Sequence, residues 1–353
     1  MWSGGAGVVV VVILAGSVLD AAEAPDRLDR FRQLATTRLS TAQILDAEPT
    51  GDGARDVGDA YREAYALLDD EIVESLASGG VFASTAFLQD RLDAFSEAWG
   101  AAVVRLTRVG PLLVGAFQLS ESLNGNSVRV YGRHGSEVQL LTTISREGRP
   151  SVYGFGLGAD ATAAFMVAWE GPPTGRGTRA LRLDLFRPIA DGVRLAWTTA
   201  ELFPEGLYAR SFRVVRGDLR LRYELQYPGW TPGCEGQTEQ EDVYRLVLAS
   251  GKVVRLSRQQ FNIWHRDLRQ SVARFFTALA SGDRGSIAAF VPDAQLRERL
   301  PTTLRAEPAC DAPDHGNPDS VSVAAVAEHA PWQLTFRRTG AAWRLSAATP
   351  VLQ

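Results

Sequence analysis

The stretch QTEQEDVY, residues 237–244, sets Glu239, Glu241 and Asp242 within four positions of one another. Carboxylates this close could do one of two kinds of chemistry. Two of them on opposite sides of a bond can act as acid and base, as glycoside hydrolysis requires. Several at short spacing can also supply oxygen ligands to a hard cation such as calcium. His265, next to Trp264 and about twenty residues further on, is the nearest candidate proton carrier. Against both readings stands a plainer one. If EQEDVYRLVL begins a strand, Glu239 and Glu241 share a face, and the three acids make a solvated turn answered by some of the many arginines.

The passage before them, YPGWTPGC, holds two Pro-Gly turns around Trp230 and ends in Cys234. The chain has two cysteines, and the other is Cys310, in the polar, proline-rich loop RAEPACDAPDHGNPD. In an exported protein two cysteines usually become one disulfide. Closing so long a loop contributes roughly 4 kcal/mol in the chain-entropy account, less any strain. A Cys234–Cys310 bond makes the passage an elbow between two parts of the chain. Its alternative is a pair of buried thiols in a reducing compartment.

Other motifs are thin. Gly154, Gly156 and Gly158 in YGFGLGAD are spaced G-x-G-x-G, whereas a dinucleotide fingerprint needs G-x-G-x-x-G. A closely packed strand is the better reading. His134, His265, His315 and His329 are scattered without metal-ligand spacing. No cofactor is expected.

The elements that must position these residues fall into segments. Residues 7–19 are a continuous apolar run, short for a membrane span and of the length of a signal-peptide core. The Ala22-Glu23-Ala24 site puts Pro25 after the cut, so residues 1–24 read as an export signal or an uncleaved anchor. Residues 25–100 read as helical. Leu28, Phe31, Leu34, Leu39 and Ile44 recur at helical intervals, and Tyr61, Tyr65, Leu68, Ile72 and Leu76 line one face. The breaks fall at 48–53 and 78–80, and Ser84 or Thr85 caps a third helix.

Near Ala101 the period changes to two. Residues 101–264 read as an antiparallel β meander, with 127–131, 180–186 and above all 219–227 alternating apolar and polar. Turns such as Asn124-Gly125, Asp191-Gly192 and Gly217-Asp218 punctuate it. A partial propeller and a curved open sheet both fit.

Residues 265–353 begin with an amphipathic helix carrying Leu268, Val272, Phe275 and Leu279, turn at Gly282-Asp283, and end in an aromatic hairpin at 332–345. FFTALASGDRGSIAAFV followed by WQLTFRRTGAAWRL resembles the NTF2-like, cone-shaped α+β superfamily. The resemblance covers about a quarter of the chain. It implies helices closing over a curved sheet around an apolar cavity. Members that are enzymes set an Asp or His base inside the cone, but no residue here aligns with that role and none is carried over.

The chain of 353 residues is 45% hydrophobic and 22% charged, enough for several cores. Its net charge of −4 lacks the basic footprint of a nucleic-acid binder. Lys252 is the only lysine among 37 basic residues. Acidic residues crowd 46–97, which reads as the solvated face of a helix or, alternatively, as attraction to the more basic segment 101–230. The expectation is a multi-domain α+β protein, exported, acting as a non-enzymatic binding or interaction module for an unidentified protein or small molecule. Two alternatives stand beside it. One is an extracytoplasmic hydrolase using the 239–242 acids and His265. The other is an envelope-tethered structural protein that touches the membrane only through residues 7–19.

Overall fold

The structure is a computed structural model that describes residues 26–44, 52–100, 102–119, 125–155, 163–174, 177–215, 217–247, 250–311 and 318–351. The apolar run 7–19 with its cleavage site, residues 48–51 of the first break, Asn124, Gly156, Gly158 and His315 lie outside these. The side chains of Leu39 and Ile44 do too.

Three helices open the described chain: α1 (Arg27–Ile44), α2 (Asp52–Ser78) and α3 (Thr85–Trp99). Ser84 caps α3, its hydroxyl accepting from Phe87 N at 3.2 Å. Leu88, Leu92, Phe95 and Trp99 then fall on one buried stripe. Phe31 of α1 wedges against Phe95 and Trp99, ring centroids 5.1 Å away in each case. On α2 the buried face is Leu68, Ile72 and Leu76, while Tyr61 and Tyr65 are half-buried at its margin.

These helices cover one face of a four-stranded antiparallel meander, β1 (Val103–Val109), β2 (Leu112–Gln118), β3 (Ser127–His134) and β4 (Glu137–Ser145). β2 is apolar on both faces because it is covered on both. Leu113 and Phe117 meet the helices, and Leu112 and Val114 meet a second sheet. Gly115 keeps the first face flat, since a Cβ there would lie 2.2 Å from the Phe117 ring.

The second sheet holds β5 (Arg149–Phe155), β6 (Ala164–Pro173), β7 (Arg179–Ile189), β8 (Gly192–Thr198), β9 (Tyr208–Val215), β10 (Asp218–Glu224), β11 (Glu239–Val247) and β12 (Lys252–Phe261). Its order is β12-β11-β10-β9-β7-β6-β5, with β8 also on β7. β8 pairs with the second half of β7 and β9 with its first two residues, so the strands form one sheet rather than separate blades. The sheet curls strongly. Tyr153 on β5 and Phe212 on β9 are separated by two strands, about 14 Å if flat, yet their rings stand 5.7 Å apart. Within the curl lie Met166, Leu183, Leu185, Leu219, Leu221 and Tyr223. The alternation expected through Tyr227 ends at Glu224, where the chain leaves the sheet.

The last part packs α4 (Ile263–Ser281), α5 (Arg284–Ala288) and α6 (Ala294–Arg299) on a four-stranded antiparallel sheet. That sheet runs β13 (Arg305–Ala306), β14 (Ser320–Ala327), β15 (Ala330–Thr339) and β16 (Ala342–Pro350). Leu268, Val272 and Phe275 of α4 meet Val323, Phe336 and Trp343. The protein is thus a multi-domain α+β molecule built on antiparallel sheets.

Candidate functional site

Strand β11 decides what the three acids can do. Glu239 is its first residue and is 5% exposed, not solvated. Arg222 grips its carboxylate and Arg210 Nε donates to it at 3.2 Å. The Arg222 guanidinium in turn lies 4.3 Å over the Phe261 ring. Glu241, two residues on and half-buried, faces Arg220 at 3.5 Å. Asp242 points to the opposite face, into the curl, and is fully buried. There Arg258 Nε and Nη2 donate to it at 3.0 and 3.2 Å, and the hydroxyls of Tyr244 and Tyr223 donate at 2.9 and 3.0 Å. Burial pushes the Asp242 carboxyl up, but these four donors outweigh it and hold it below the usual carboxylate range. Burial, then the Asp242 charge, pushes both tyrosines upward.

This arrangement corrects the expectation of one solvated turn. Glu239 and Asp242 are buried, lie on opposite faces of one strand, and are each matched by arginine. They cannot flank one substrate bond or ligate one calcium ion. Among the described residues no group of three or more His, Cys, Asp or Glu is placed to hold a metal.

His265 is not joined to these acids either. It sits on the first turn of α4, 2% exposed, in a different cluster. The Tyr227 hydroxyl lies 2.6 Å from its Nδ1, and Asp311 Oδ2 lies 3.0 Å from its Nε2. Tyr227 already accepts from Thr238 N at 3.1 Å. In the neutral ring it therefore donates to Nδ1, leaving the ring hydrogen on Nε2, which lies near Asp311 Oδ2 but off-line for a hydrogen bond. Arg269 completes the cluster. Its Nη2 donates to Asp311 Oδ1 at 2.9 Å and to Ala309 O at 2.8 Å. Its Nε lies 2.7 Å from Oδ2 as an ion pair, off-line for a hydrogen bond. Burial raises the Tyr227 phenol, with the Thr238 N–H opposing.

The loop from 225 to 238 brings these groups together, as an elbow would. Cys234 and Cys310 form a disulfide, Cα atoms 5.3 Å apart across 76 residues of chain. Gly229, at φ +82°, lies flat on Arg269, where a Cβ would come within 2.9 Å of its Cδ. Trp230 Nε1 and Gly233 N donate to Glu224 at the end of β10, at 3.1 and 3.3 Å. Tyr227, Arg269 and Asp311 went unmarked in the sequence. The one available signal was that Asp311 follows Cys310.

Open space lies elsewhere. A cleft of 430 Å³ forms where the end of α2, the β1–β2 turn, the β3–β4 hairpin and the β7–β8 turn meet. Its walls include Leu76, Leu112, Leu141, Pro188 and Ile189, and it holds two arginines, Arg108 and Arg133. Arg108 Nη2 donates to Ala83 O and Arg133 Nη1 to Ser136 O, both at 2.9 Å. A second, more polar cleft of 530 Å³ lies between β1–β2 and β5–β6. Its Arg179 is paired with Glu170 and its Arg105 with Asp93. A third, of 370 Å³, lies between α6 and β15–β16. The glycine motif adds no site: Gly154 lies in β5, packed near Val109 and Thr107. His134 pairs with Asp191 at 3.1 Å, and His329 occupies the β14–β15 turn at φ +70°.

Comparison with known proteins adds little to this geometry. No protein-family description matches the chain, and no curated protein does. Among the solved structures that the chain is similar to, two serve as examples. One is a protein from Lactobacillus plantarum, 11% identical with a TM-score of 0.20, covering 69% of each chain. The other is the Nup133 β-propeller domain of Vanderwaltozyma polyspora, 8% identical with a TM-score of 0.15, covering 71% of this chain and 91% of that one. Both scores are too low to carry an argument, so the function must be argued from the molecule's own residues.

Proposed function

We propose that this protein is an extracytoplasmic binding module, stapled by its disulfide and built to present clefts rather than to turn over a substrate. The observation that carries the reading is the pairing of its candidate catalytic groups. Glu239, Glu241, Asp242 and His265 each answer to a partner inside the protein, and the open clefts lie away from them. The disulfide supports an oxidising compartment. No helix among the described residues is long and apolar enough to cross a membrane. For residues 265–353 the NTF2-like arrangement is our reading. Three helices on one face of a four-stranded antiparallel sheet, with a cleft beside Leu296 and Trp332, support it.

The test is native mass spectrometry of the full chain exported by its own leader, with and without chelator and reductant. A mature chain short of its leader, two hydrogens lighter than the reduced form and carrying a small molecule, is the expected result. A chain retaining residues 1–24 would favour the tethered alternative. Hydrolytic turnover lost on substituting Glu239, Glu241 or His265 in a still-folded protein would replace the binding reading with the hydrolase.

A further inference from the structure

Several arginines in this protein are answered by carboxylates: Arg129 by Asp69, Arg182 by Asp184, Arg222 by Glu239, Arg258 by Asp242. Arg108 and Arg133 are, like Arg297 with Val291 O and Pro292 O, bonded to backbone instead, and they are set apart by lining one cleft. Each spends a donor on a backbone carbonyl, and neither has a carboxylate partner among the described residues. A guanidinium carries five donors in a planar fork suited to a carboxylate. Both line the cleft at the end of α2, whose remaining walls are mostly apolar. Of the neighbouring acids, Asp191 holds His134, and Glu137 sits across the hairpin opposite His134.

The mouth of this cleft is apolar as well. Ile189, which lines it from the β7–β8 turn, is 52% exposed; Val81 and Phe82, in the turn between the lining residues Gly79 and Ala83, are 73% and 53% exposed. Phe82 rests edge-on against Phe87, centroids 5.3 Å apart, and leaves its other side to solvent. Gly79 and Gly80, both at positive φ and with open space around them, carry that turn past the cleft. The volume is within the range of sites that take small molecules.

We infer that this cleft binds a single-chain anionic amphiphile, a fatty-acid-like carboxylate, with its hydrocarbon chain between Leu76, Leu112, Leu141 and Ile189 and its carboxylate at Arg108 and Arg133. The inference rests on the binding-module reading and names its ligand class. Half-buried Arg108 and exposed Arg133, at the edge of a mostly apolar cleft and without carboxylate partners among the described residues, are complementary to a molecule that is an anion at one end and hydrocarbon at the other. A wholly polar anion would leave Leu141 and Ile189 wet, and a neutral hydrocarbon would leave the guanidiniums without a counter-charge.

Titration calorimetry on the full chain tests it, using decanoate, 1-decanol and butyrate. Decanoate binds, butyrate does not, and 1-decanol binds more weakly. The double variant Arg108→Gln, Arg133→Gln removes both charges and keeps a polar amide at a half-buried and an exposed position. It weakens decanoate at least tenfold and leaves 1-decanol nearly unchanged. Ile189→Asp, at an exposed position that folding tolerates, weakens both ligands. Thermal melts matching the parent protein show that these losses are not unfolding. Decanoate binding that ignores both variants, or no decanoate binding at all, overturns the inference. If native mass spectrometry still finds a bound small molecule, the binding-module reading survives that failure. If it finds none, the reading falls too.

Discussion

The elbow around Asp311 and the cleft around Arg133 use the same residue types to opposite ends. At the elbow, Arg269, His265 and Asp311 are each 5% exposed or less, and their charges close on one another beneath a disulfide. At the cleft, Arg108 and Arg133 stand beside apolar walls with no carboxylate among the described residues answering them. Taking a charge out of water is costly unless a partner goes with it, so at the elbow charge is answered by charge, although Arg269 Nε and Asp311 Oδ2 make no hydrogen bond. A cation at the edge of an open cleft keeps its water and incurs no such cost, so it can wait for an anion from outside. Candidate residues are therefore better ranked by the interactions they still lack than by their chemical type.

The sharpest way to break the comparison is to unpair the elbow. Asp311→Ala leaves Arg269 buried without its counterion and removes the partner of His265 Nε2. Removing one member of a buried pair typically costs about 3–5 kcal/mol. An unfolding free energy lowered by less than about 1 kcal/mol in denaturant titration would mean that the cluster is not the clamp described here. Next in size is the disulfide. Cys234→Ser with Cys310→Ser releases a closure across 76 residues, worth roughly 2–5 kcal/mol when a native bond is lost. Reductant should reproduce that shift in the parent protein and have no effect on the double variant. Neither change touches the cleft, so affinity for decanoate should survive both in the folded fraction.

These outcomes would test how much of the molecule could be read from its residues. Strand β10, with Leu219, Leu221 and Tyr223 inward, was legible because a period of two leaves only one face to bury. The Ser84 cap and the Cys234–Cys310 pair were legible because each has a local or unique partner. Partners fixed by topology were not. Asp242 meets Arg258 only because the β11–β12 hairpin places them opposite each other, with a bulge nearby that no residue type announces. Asp311 reaches Arg269 from 42 residues away. Strand β14, with its small alternating residues SVSVAAVA, gave weak contrast between its two faces. The cleft is assembled from four separate parts of the chain, none carrying a pattern of its own.

The buried carboxylate in the curl gives a pH test of intermediate size. Asp242→Asn keeps the shape but loses the charge that Arg258, Tyr223 and Tyr244 address, at about 2 kcal/mol near neutral pH. The direction of the titration follows from its lowered carboxyl. Stability from this group is fully present above the unfolded value of about 3.9 and is lost as pH falls through the lower folded value. The parent protein should therefore lose stability toward pH 3, while the variant starts lower and loses less over the same interval. Parallel profiles would separate the charge from the stability of the curl.

Glu241 supplies the smallest effect and the finest discrimination. It shares its face with Glu239 but is half-buried, and its partner Arg220 is 63% exposed at the side chain with a contact of 3.5 Å. Solvent screens such a pair, so Glu241→Gln should cost about 0.5 kcal/mol or less, and added salt should erase most of it. Glu239 is enclosed by two arginines on the same strand face, so the identical substitution there should cost several times more and resist salt. Equal costs would mean that position along β11, rather than completeness of pairing, sets the stability of its acids. That would undercut the ranking by which Arg108 and Arg133 were singled out.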